Sequence, residues 1–190
     1  MSSMAKGGLA PPSMDFDSLY RVHFRYVWQT LRRLGIMPSD AADAAQEVFI
    51  VVYRKLATFD ASCKVTTWLF AICYRHAQYY RRRRPRDAVR PEPDHDEPNA
   101  ETPNQEELAM LHQGRERLGA VLEAMTLDQR AVFILYEIEE LEGDEIARLL
   151  GLSRGTICSR LRAARAAFWR TVERERAREH SRLLVAGGRA

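Results

Sequence analysis

The sequence predicts an all-α protein made of two small helical domains that a flexible acidic linker joins. Apolar residues recur at spacings of three and four on both sides of residues 85–104, as on the face of an amphipathic helix. Within that segment prolines alternate with acidic residues, so it cannot bury enough apolar surface to offset its ordering entropy. Strand-like alternation of useful length is missing from the sequence. The expected domains are 14–86 and 107–176, with a linker at 87–106, a disordered tail at 1–13 and a C-terminal tail at 177–190.

The first domain is expected to hold three to four helices, and Gly35 and Pro38 separate the first two. The second helix should start at Ser39 or Asp40, whose short side chain can accept the free amides of the first turn. A third helix begins near Thr67 and ends in a run of arginines. The predicted core faces are Phe16, Leu19, Tyr20, Phe24, Val27, Leu31 and Leu34 in the first helix, Ala42, Ala45, Phe49, Val52, Tyr53 and Leu56 in the second, and Trp68, Leu69, Ile72, Cys73 and Tyr80 in the third.

In the second domain, Thr126 and Gln129 have the spacing of a capping box, which predicts the start of a helix. Residues 143–172 then show the pattern of a short helix, a tight turn at Gly151 and a long helix opened by Ser153. This pattern describes a helix-turn-helix, whose second helix fits the major groove of DNA. The predicted inward face of that helix is Ile157, Leu161, Ala164, Phe168 and Val172.

The composition excludes several classes of protein. Three cysteines are scattered without the paired spacing of a zinc site or a disulfide scaffold, which fits a reducing cytoplasm. Residues 1–14 do not resemble a signal peptide, and no stretch is long enough to span a membrane. The sequence shows no catalytic constellation, and the acidic cluster at 94–97 has no ordered element to fix metal ligands. We therefore expect a cytoplasmic protein that is not an enzyme and binds no metal or cofactor.

The start of the long helix carries polar and basic residues that suit duplex DNA. Arginine pairs bidentately with guanine and with phosphate, and the free backbone amides after Ser153 form a seat for phosphate. The alternative is that Ser153 only caps the helix and that the arginines solvate its outer face. The candidate residues for duplex contact are Ser153, Arg154, Thr156, Ser159, Arg160, Arg162 and Arg165.

A second basic segment, Arg81 to Arg84 with Arg86, follows Tyr74, Tyr79 and Tyr80 on the third helix. Arginines interleaved with aromatics suit single-stranded nucleic acid, because the arginines meet the backbone and the aromatic faces stack on bases. Alternatively, the arginines complement the helix macrodipole and Tyr80 belongs to the core.

These segments resemble two regions of the extracytoplasmic-function (ECF) sigma factors of bacterial RNA polymerase. Region 2 is similar to residues 40–49 (DAADAAQEVF), to residues 59–60 (FD), to residues 67–72 (TWLFAI) and to the arginine run that follows. Region 4 is similar to residues 145–165 (EIARLLGLSRGTICSRLRAAR). The resemblance covers most of residues 16–172 in the right order, with a variable linker between the two regions.

The resemblance implies a sigma factor that binds core polymerase and directs promoter-specific transcription initiation. Region 4 would recognise the minus-thirty-five element as duplex and dock on the polymerase flap, whereas region 2 would melt the minus-ten element, capture an unstacked base and bind the polymerase clamp. An anti-sigma factor, membrane-bound or not, is expected to restrain this stress- or signal-responsive regulator, and no small-molecule substrate is expected. The residues implied are Lys64, Thr66, Trp68, Tyr74, Arg75, Gln78, Tyr79, Arg81 and Arg82 for the minus-ten strand, and Asp40, Asp43, Gln46 and Glu47 for core polymerase.

Other interpretations stay open on the sequence. On its residues alone, the acidic ridge at 40–47 is an ordinary solvated helix face. The chain could also be a helix-turn-helix regulator that binds DNA without joining polymerase, although its N-terminal helices offer no ligand or receiver domain. A protein-interaction module without promoter activity is a further class. A nucleic-acid-processing enzyme would require clustered carboxylates or metal ligands on ordered elements.

Overall fold

The computed structural model describes residues 15–83 and 105–187, and within them every regular element is a helix. The predicted all-α fold is therefore confirmed. The predicted tail at 1–13 and most of the predicted linker lie outside the described residues. The elements in chain order are α1 (Phe16–Arg33), α2 (Pro38–Lys55), a 3-10 turn (Leu56–Thr58), α3 (Val65–Arg83), α4 (Gln105–Glu123), α5 (Leu127–Phe133), a π-helical turn (Ile134–Ile138), α6 (Gly143–Leu150) and α7 (Arg154–Gly187).

The turn between α1 and α2 depends on a glycine. Gly35 has a φ of 95°, in the left-handed region that residues with a Cβ rarely adopt. Its N–H donates to the carbonyl oxygen of Arg32 at 2.9 Å. Pro38 then occupies the first helical position of α2, where its fixed φ and missing N–H fit. The second helix thus begins one residue before the predicted Ser39.

The first domain packs α1, α2 and α3 around one apolar core. Phe49 of α2 anchors the aromatic side chains of α1, because its ring centroid lies 4.7 Å from that of Tyr20 and 6.2 Å from that of Phe24. This packing fixes α1 across α2 and leaves α3 to close the core. The large side chains of this domain with almost no exposure are Val27, Leu31, Ile36, Val48, Val52, Leu69 and Phe70.

Two residues of the predicted α2 core are exposed instead. Tyr53 exposes 68% of its surface and meets Phe16 edge-on, with the ring centroids 5.2 Å apart. Ala42 is exposed as well. Since a helix turns about 100° per residue, Val52 takes the inward direction and the residue after it points away from the core. The core prediction was therefore wrong at Ala42 and Tyr53.

The second domain packs α4, α5 and α6 against α7. The predicted capping box is confirmed: the Gln129 N–H donates to Thr126 Oγ1 at 3.3 Å, and the Thr126 N–H donates to Gln129 Oε1 at 2.9 Å. Phe133 and Phe168 stack between α5 and α7, with ring centroids 5.8 Å apart. The buried residues of this domain include Val121, Val132, Leu135, Ile146, Ile157 and Ala164.

The predicted helix-turn-helix is confirmed in α6 and α7. Gly151 ends α6 with a φ of 67°, the left-handed conformation common after helix C-termini. Ser153 Oγ then accepts a hydrogen bond from the Thr156 N–H at 3.2 Å and caps α7. Helix α7 continues to Gly187, past the predicted domain end at residue 176.

The two domains pack directly against each other. Helix α3 of the first domain contacts α5 and α6 of the second, and buried residues from both domains form one continuous apolar cluster. Arg130 of α5 lies against the turn at Gly35, where an added Cβ would lie 2.5 Å from Arg130 Nη1. Tyr26 of α1 donates to Glu139 Oε1 at 3.2 Å. Polar contacts therefore accompany the apolar packing between the domains.

Candidate nucleic-acid interface

The first turns of α7 form an exposed polar surface. Ser153 and Ser159 are exposed, and Thr156 is half-buried between them. Ser153 Oγ lies 2.8 Å from Thr156 Oγ1, and the Ser159 hydroxyl donates to the Thr156 carbonyl oxygen at 2.9 Å. Ser153 therefore caps the helix and still faces solvent, so both interpretations of this residue agree with its geometry.

Two of the predicted duplex contacts, Arg154 and Arg162, are exposed near this surface. Arg154 Nη1 lies 3.0 and 2.8 Å from the two carboxylate oxygens of Asp144. The two side chains are 70% and 64% exposed, so the pair stabilises the fold by only about 0–1 kcal/mol. A phosphate can therefore compete with Asp144 for Arg154 at little cost.

Arg165 is held beside the π-helical turn. Its Nε donates to Glu137 Oε1 at 2.7 Å, and its guanidinium carbon lies 5.2 Å from the centroid of the Tyr136 ring. The hydrogen bond to Glu137 raises the pKa of Arg165. Since 49% of the side chain is exposed, Arg165 remains accessible from solvent.

The predicted duplex contact Arg160 and the predicted strand contact Tyr74 lie together in the contact between the domains. Arg160 Nη2 donates to Asp128 Oδ2 at 3.0 Å, and the Tyr74 hydroxyl donates to Asp128 Oδ1 at 2.8 Å. Tyr74 is 5% exposed and the Arg160 side chain 25%. In this conformation Tyr74 is buried and Arg160 is largely covered, although the sequence predicted both as DNA contacts. Asp128 joins them, and the sequence did not single it out.

Most of the other residues predicted for the minus-ten strand lie on the open side of α3 and the loop before it. Trp68 is half-buried, and its ring is tilted against that of Phe59, with centroids 5.0 Å apart. Tyr79 is 51% exposed, and the guanidinium carbon of Arg83 lies 5.1 Å from its ring centroid. Arg84 and Arg86 lie outside the described residues. The remaining predicted residues are exposed (Lys64, Arg75, Arg81 and Arg82) or half-buried (Thr66 and Gln78).

A cavity of about 190 Å³ opens between α2 and α3. Its walls are mainly apolar, with Tyr79 at one side and basic groups around it. His76 Nδ1 lies 3.6 Å from Glu47 Oε2, and burial lowers the pKa of His76. The lining residues recur at spacings of three and four along α2 and along α3, a pattern that is visible in the sequence. Lys55 and His76 were nevertheless not among the candidate residues predicted from the sequence. The lining residues are Glu47, Val48, Val51, Lys55, Ile72, Arg75, His76 and Tyr79.

The acidic ridge on α2 is largely open to solvent. Asp43, Gln46 and Glu47 are exposed, whereas Asp40 is half-buried and accepts a hydrogen bond from the Tyr80 hydroxyl. Two apolar side chains continue the same helix face at the next turns, because Ile50 is 51% exposed and Tyr53 68%. The sequence identified the acidic part of this face and missed its apolar part.

Neither a candidate metal cluster nor a candidate membrane-spanning helix is found in the described residues. Across 15–83 and 105–187, no group of three or more His, Cys, Asp or Glu side chains is placed to hold a metal ion. No helix in the same ranges is long and apolar enough to cross a membrane. The acidic cluster at 94–97 lies outside them.

Comparison with known families accounts for both domains. The family model described as Sigma-70 region 2 matches residues 19–87, and the model described as Sigma-70, region 4 matches residues 115–168. Over 159 residues the chain is 34% identical to the ECF RNA polymerase sigma factor SigE of Mycolicibacterium smegmatis. The chain belongs to the ECF sigma factors of the sigma-70 family. This match includes 80% of the chain, which spans 59% of the length of SigE.

A second ECF sigma factor and two solved structures are also similar to the chain. The ECF RNA polymerase sigma-E factor of Escherichia coli K12 is 28% identical over 169 residues, which are 82% of this chain and 86% of the relative. CnrH, solved in complex with the cytosolic domain of CnrY, is 25% identical with a TM-score of 0.55, over 83% of this chain and 87% of that one. The sigma factor RpoE from Bartonella quintana, solved with the anti-sigma factor NepR, has the same fold, with a TM-score of 0.63 at 18% identity over 84% and 97% of the two chains.

Tyr74 is expected to ionise well above the range of an exposed tyrosine. Burial and the hydrogen bond to Asp128 raise its pKa from 10.0 to about 12. Because the pKa of Tyr74 is higher in the folded than in the unfolded state, the neutral hydroxyl contributes to the free energy of unfolding. This contribution is complete below pH 10 and is lost as the pH rises toward about 12. The difference in phenolate absorbance between the native protein and Tyr74→Phe should therefore titrate near pH 12. A difference that titrates near pH 10 would contradict the buried position.

Proposed function

We propose that the chain binds core RNA polymerase and directs promoter-specific transcription initiation, and that it catalyses no reaction itself. The observation that carries this proposal is the presence, in one chain, of two different nucleic-acid surfaces in the order of sigma-70 regions 2 and 4. Helix α7 offers polar and basic side chains for duplex DNA, and α3 offers exposed arginines with aromatics. A regulator that acts without polymerase would need only the first surface.

Helix α7 is proposed to recognise the minus-thirty-five element in the major groove. Its first turns carry Thr156, Ser159 and Arg160, the positions that meet base edges when a recognition helix enters the groove. Arg160 is the candidate for a bidentate contact with guanine. Arg154 and Arg162 are proposed to contact phosphates, which position the helix without contributing sequence information.

Helix α3 and the cavity beside it are proposed to hold the melted minus-ten strand. The cavity combines apolar walls and the Tyr79 ring with the cationic groups of Lys55 and Arg75, which suits a flat base attached to a charged backbone. Unstacking a base costs a few kcal/mol. Stacking on an aromatic side chain returns about 1–3 kcal/mol per base, so the exchange is close to balanced.

The exposed face of α2 is proposed to bind the polymerase clamp. Its acidic residues would give orientation and fast association, while Ile50 and Tyr53 provide the apolar area that dominates interface energies. The exposed Trp169, which meets Phe168 edge-on with centroids 5.2 Å apart, is the candidate for docking the second domain on the flap. The two domains would thus bind polymerase at separate points.

An anti-sigma factor is proposed as a further partner. Two solved relatives support this proposal, since RpoE was crystallised with the anti-sigma factor NepR and CnrH with the cytosolic domain of CnrY. Both relatives match this chain over more than four-fifths of its length.

Reversing one charge on α2 should weaken binding to core polymerase. Asp43 is exposed, so Asp43→Lys is expected to leave the fold intact and to lower the affinity about tenfold through like-charge repulsion at the interface. Glu123→Lys, a charge reversal at another exposed carboxylate at the end of α4, is the matched control and should bind as the native chain does. Equilibrium titration of labelled chain with core polymerase measures both. Equal affinities of the two variants would place the polymerase contact elsewhere.

Arg160→Ala should reduce discrimination between promoter and unrelated duplex by about 1–3 kcal/mol, because a bidentate base contact is lost. Arg162→Ala is the control: loss of a phosphate contact should weaken binding to all sequences alike and make it less dependent on salt. Competition binding of holoenzyme to promoter and unrelated duplexes separates the two effects. If Arg160→Ala kept the native discrimination, its assignment to base recognition would be refuted.

A further inference from the structure

One carboxylate connects the two surfaces that are proposed to bind DNA. Asp128 lies in the first turn of α5, and each of its oxygens accepts one hydrogen bond across helices. Oδ1 accepts from the Tyr74 hydroxyl of α3 at 2.8 Å, and Oδ2 accepts from Arg160 Nη2 of α7 at 3.0 Å. We call these three residues the Asp128 latch.

The latch is partly shielded from water, unlike the Arg154–Asp144 pair of the helix-turn-helix. The side chains of Arg160 and Asp128 are 25% and 29% exposed, against 70% and 64% for Arg154 and Asp144. A shielded pair is screened less by solvent and salt than an exposed one. Arg160 is therefore held more firmly than Arg154, and the guanidinium cannot meet a base edge while it is bound to Asp128.

The latch is also incompletely satisfied. Arg160 Nη1 is buried and has no hydrogen-bond partner among the described residues. A buried donor without a partner costs free energy that exposure to water or to a guanine edge would recover. The closed contact therefore carries a penalty that favours opening when duplex DNA offers acceptors for both amino groups.

Other contacts between the same domains would open together with the latch. Tyr26 of α1 donates to Glu139 Oε1 of the second domain at 3.2 Å. Arg130 lies against Gly35 in the turn between α1 and α2. The interface thus joins the domains at several places, and the latch is the place where it holds residues proposed to contact DNA.

We propose that the Asp128 latch is an autoinhibitory contact within the chain. In the closed form it withdraws Arg160 from duplex DNA and Tyr74 from the melted strand without a second protein. Arg75 and Tyr79 of the strand surface stay exposed. Binding of duplex by Arg160 removes one partner of Asp128 and weakens the hold on Tyr74. Because coupling between two sites is reciprocal, duplex recognition and strand capture favour each other. The DNA part of this inference rests on the proposed function; the closed contact does not.

The closed contact can be tested in the full chain without DNA. Cys63 and the exposed Cys158 lie in different domains and accept spin labels, while Cys73 is fully buried. The label-to-label distance distribution of Asp128→Asn should shift to longer distances than that of the native chain. Asp144→Asn, which also removes one negative charge but only breaks an exposed pair within one domain, should leave the distribution unchanged. An unchanged distribution in Asp128→Asn would overturn the latch.

The masking of Arg160 is tested by unlabelled proteins and a duplex pool of randomised sequence. Asp128→Asn should bind the pool about tenfold more tightly than Asp144→Asn, a typical coupling between linked sites. Both variants gain the same net charge, and Asp144→Asn also frees Arg154 from a weak, exposed pair. Tighter binding by Asp128→Asn therefore reports the release of Arg160 and not a general gain in attraction. Equal affinities in an opened Asp128→Asn would overturn the masking claim. Should no variant bind duplex at all, the masking claim is overturned and the distances alone decide the latch, whereas the proposed function is decided separately by the binding of holoenzyme to promoter duplex.

Tyr74→Phe tests the latch independently, in case Asp128→Asn does not fold correctly. It keeps the buried ring and removes one hydrogen bond of the latch, so a smaller shift to longer distances is expected. Helix content by circular dichroism should match the native chain in all three variants. Native distances in a well-folded Tyr74→Phe would refute the part of Tyr74 in the latch, and native distances in a well-folded Asp128→Asn would refute the latch itself.

Discussion

The structure depends on the burial of α3, which packs against both domains at once. Leu69, Phe70 and Cys73 are buried in the core, where desolvation raises the pKa of the Cys73 thiol. The same helix also contacts α5 and α6 of the second domain. What remains exposed includes Arg75 and Tyr79, so the position of the candidate strand-binding surface is fixed by the apolar packing behind it. Any movement of the second domain must therefore change the surroundings of α3.

The sequence predicted the elements well because their signals are local. Apolar spacing gave the helices, the Thr126–Gln129 pair gave a capping box, and Gly151 gave the turn of the helix-turn-helix, each within a few residues. The errors share one physical cause, since periodicity shows that a side chain lies on a helix face but not what covers that face. Tyr53 was expected in the core and is exposed. Tyr74 stays a predicted strand contact, although in this conformation it is buried and bound to Asp128 of α5. Asp128 has no spacing relation to its partners, so no local pattern could reveal it.

The arginines of α7 show how burial changes the role of one residue type. Arg154 is exposed with Asp144, Arg165 is half-exposed with Glu137, and Arg160 is mostly covered with Asp128. All three are paired with carboxylates, which a DNA phosphate or base must replace. A DNA group replaces the carboxylate most easily where water already screens the arginine–carboxylate pair. Exposed arginines therefore suit the first electrostatic encounter with DNA, and Arg160 suits a later step that requires the domains to separate.

The proposed function requires that this chain, a member of the ECF sigma factors, starts transcription only together with core RNA polymerase. Run-off transcription from a library of genomic promoter fragments tests it most directly, with purified core polymerase and the full chain added separately and together. We expect discrete transcripts from a subset of fragments only when both proteins are present. Transcripts that do not depend on the chain, or none from any fragment with both proteins, would contradict it.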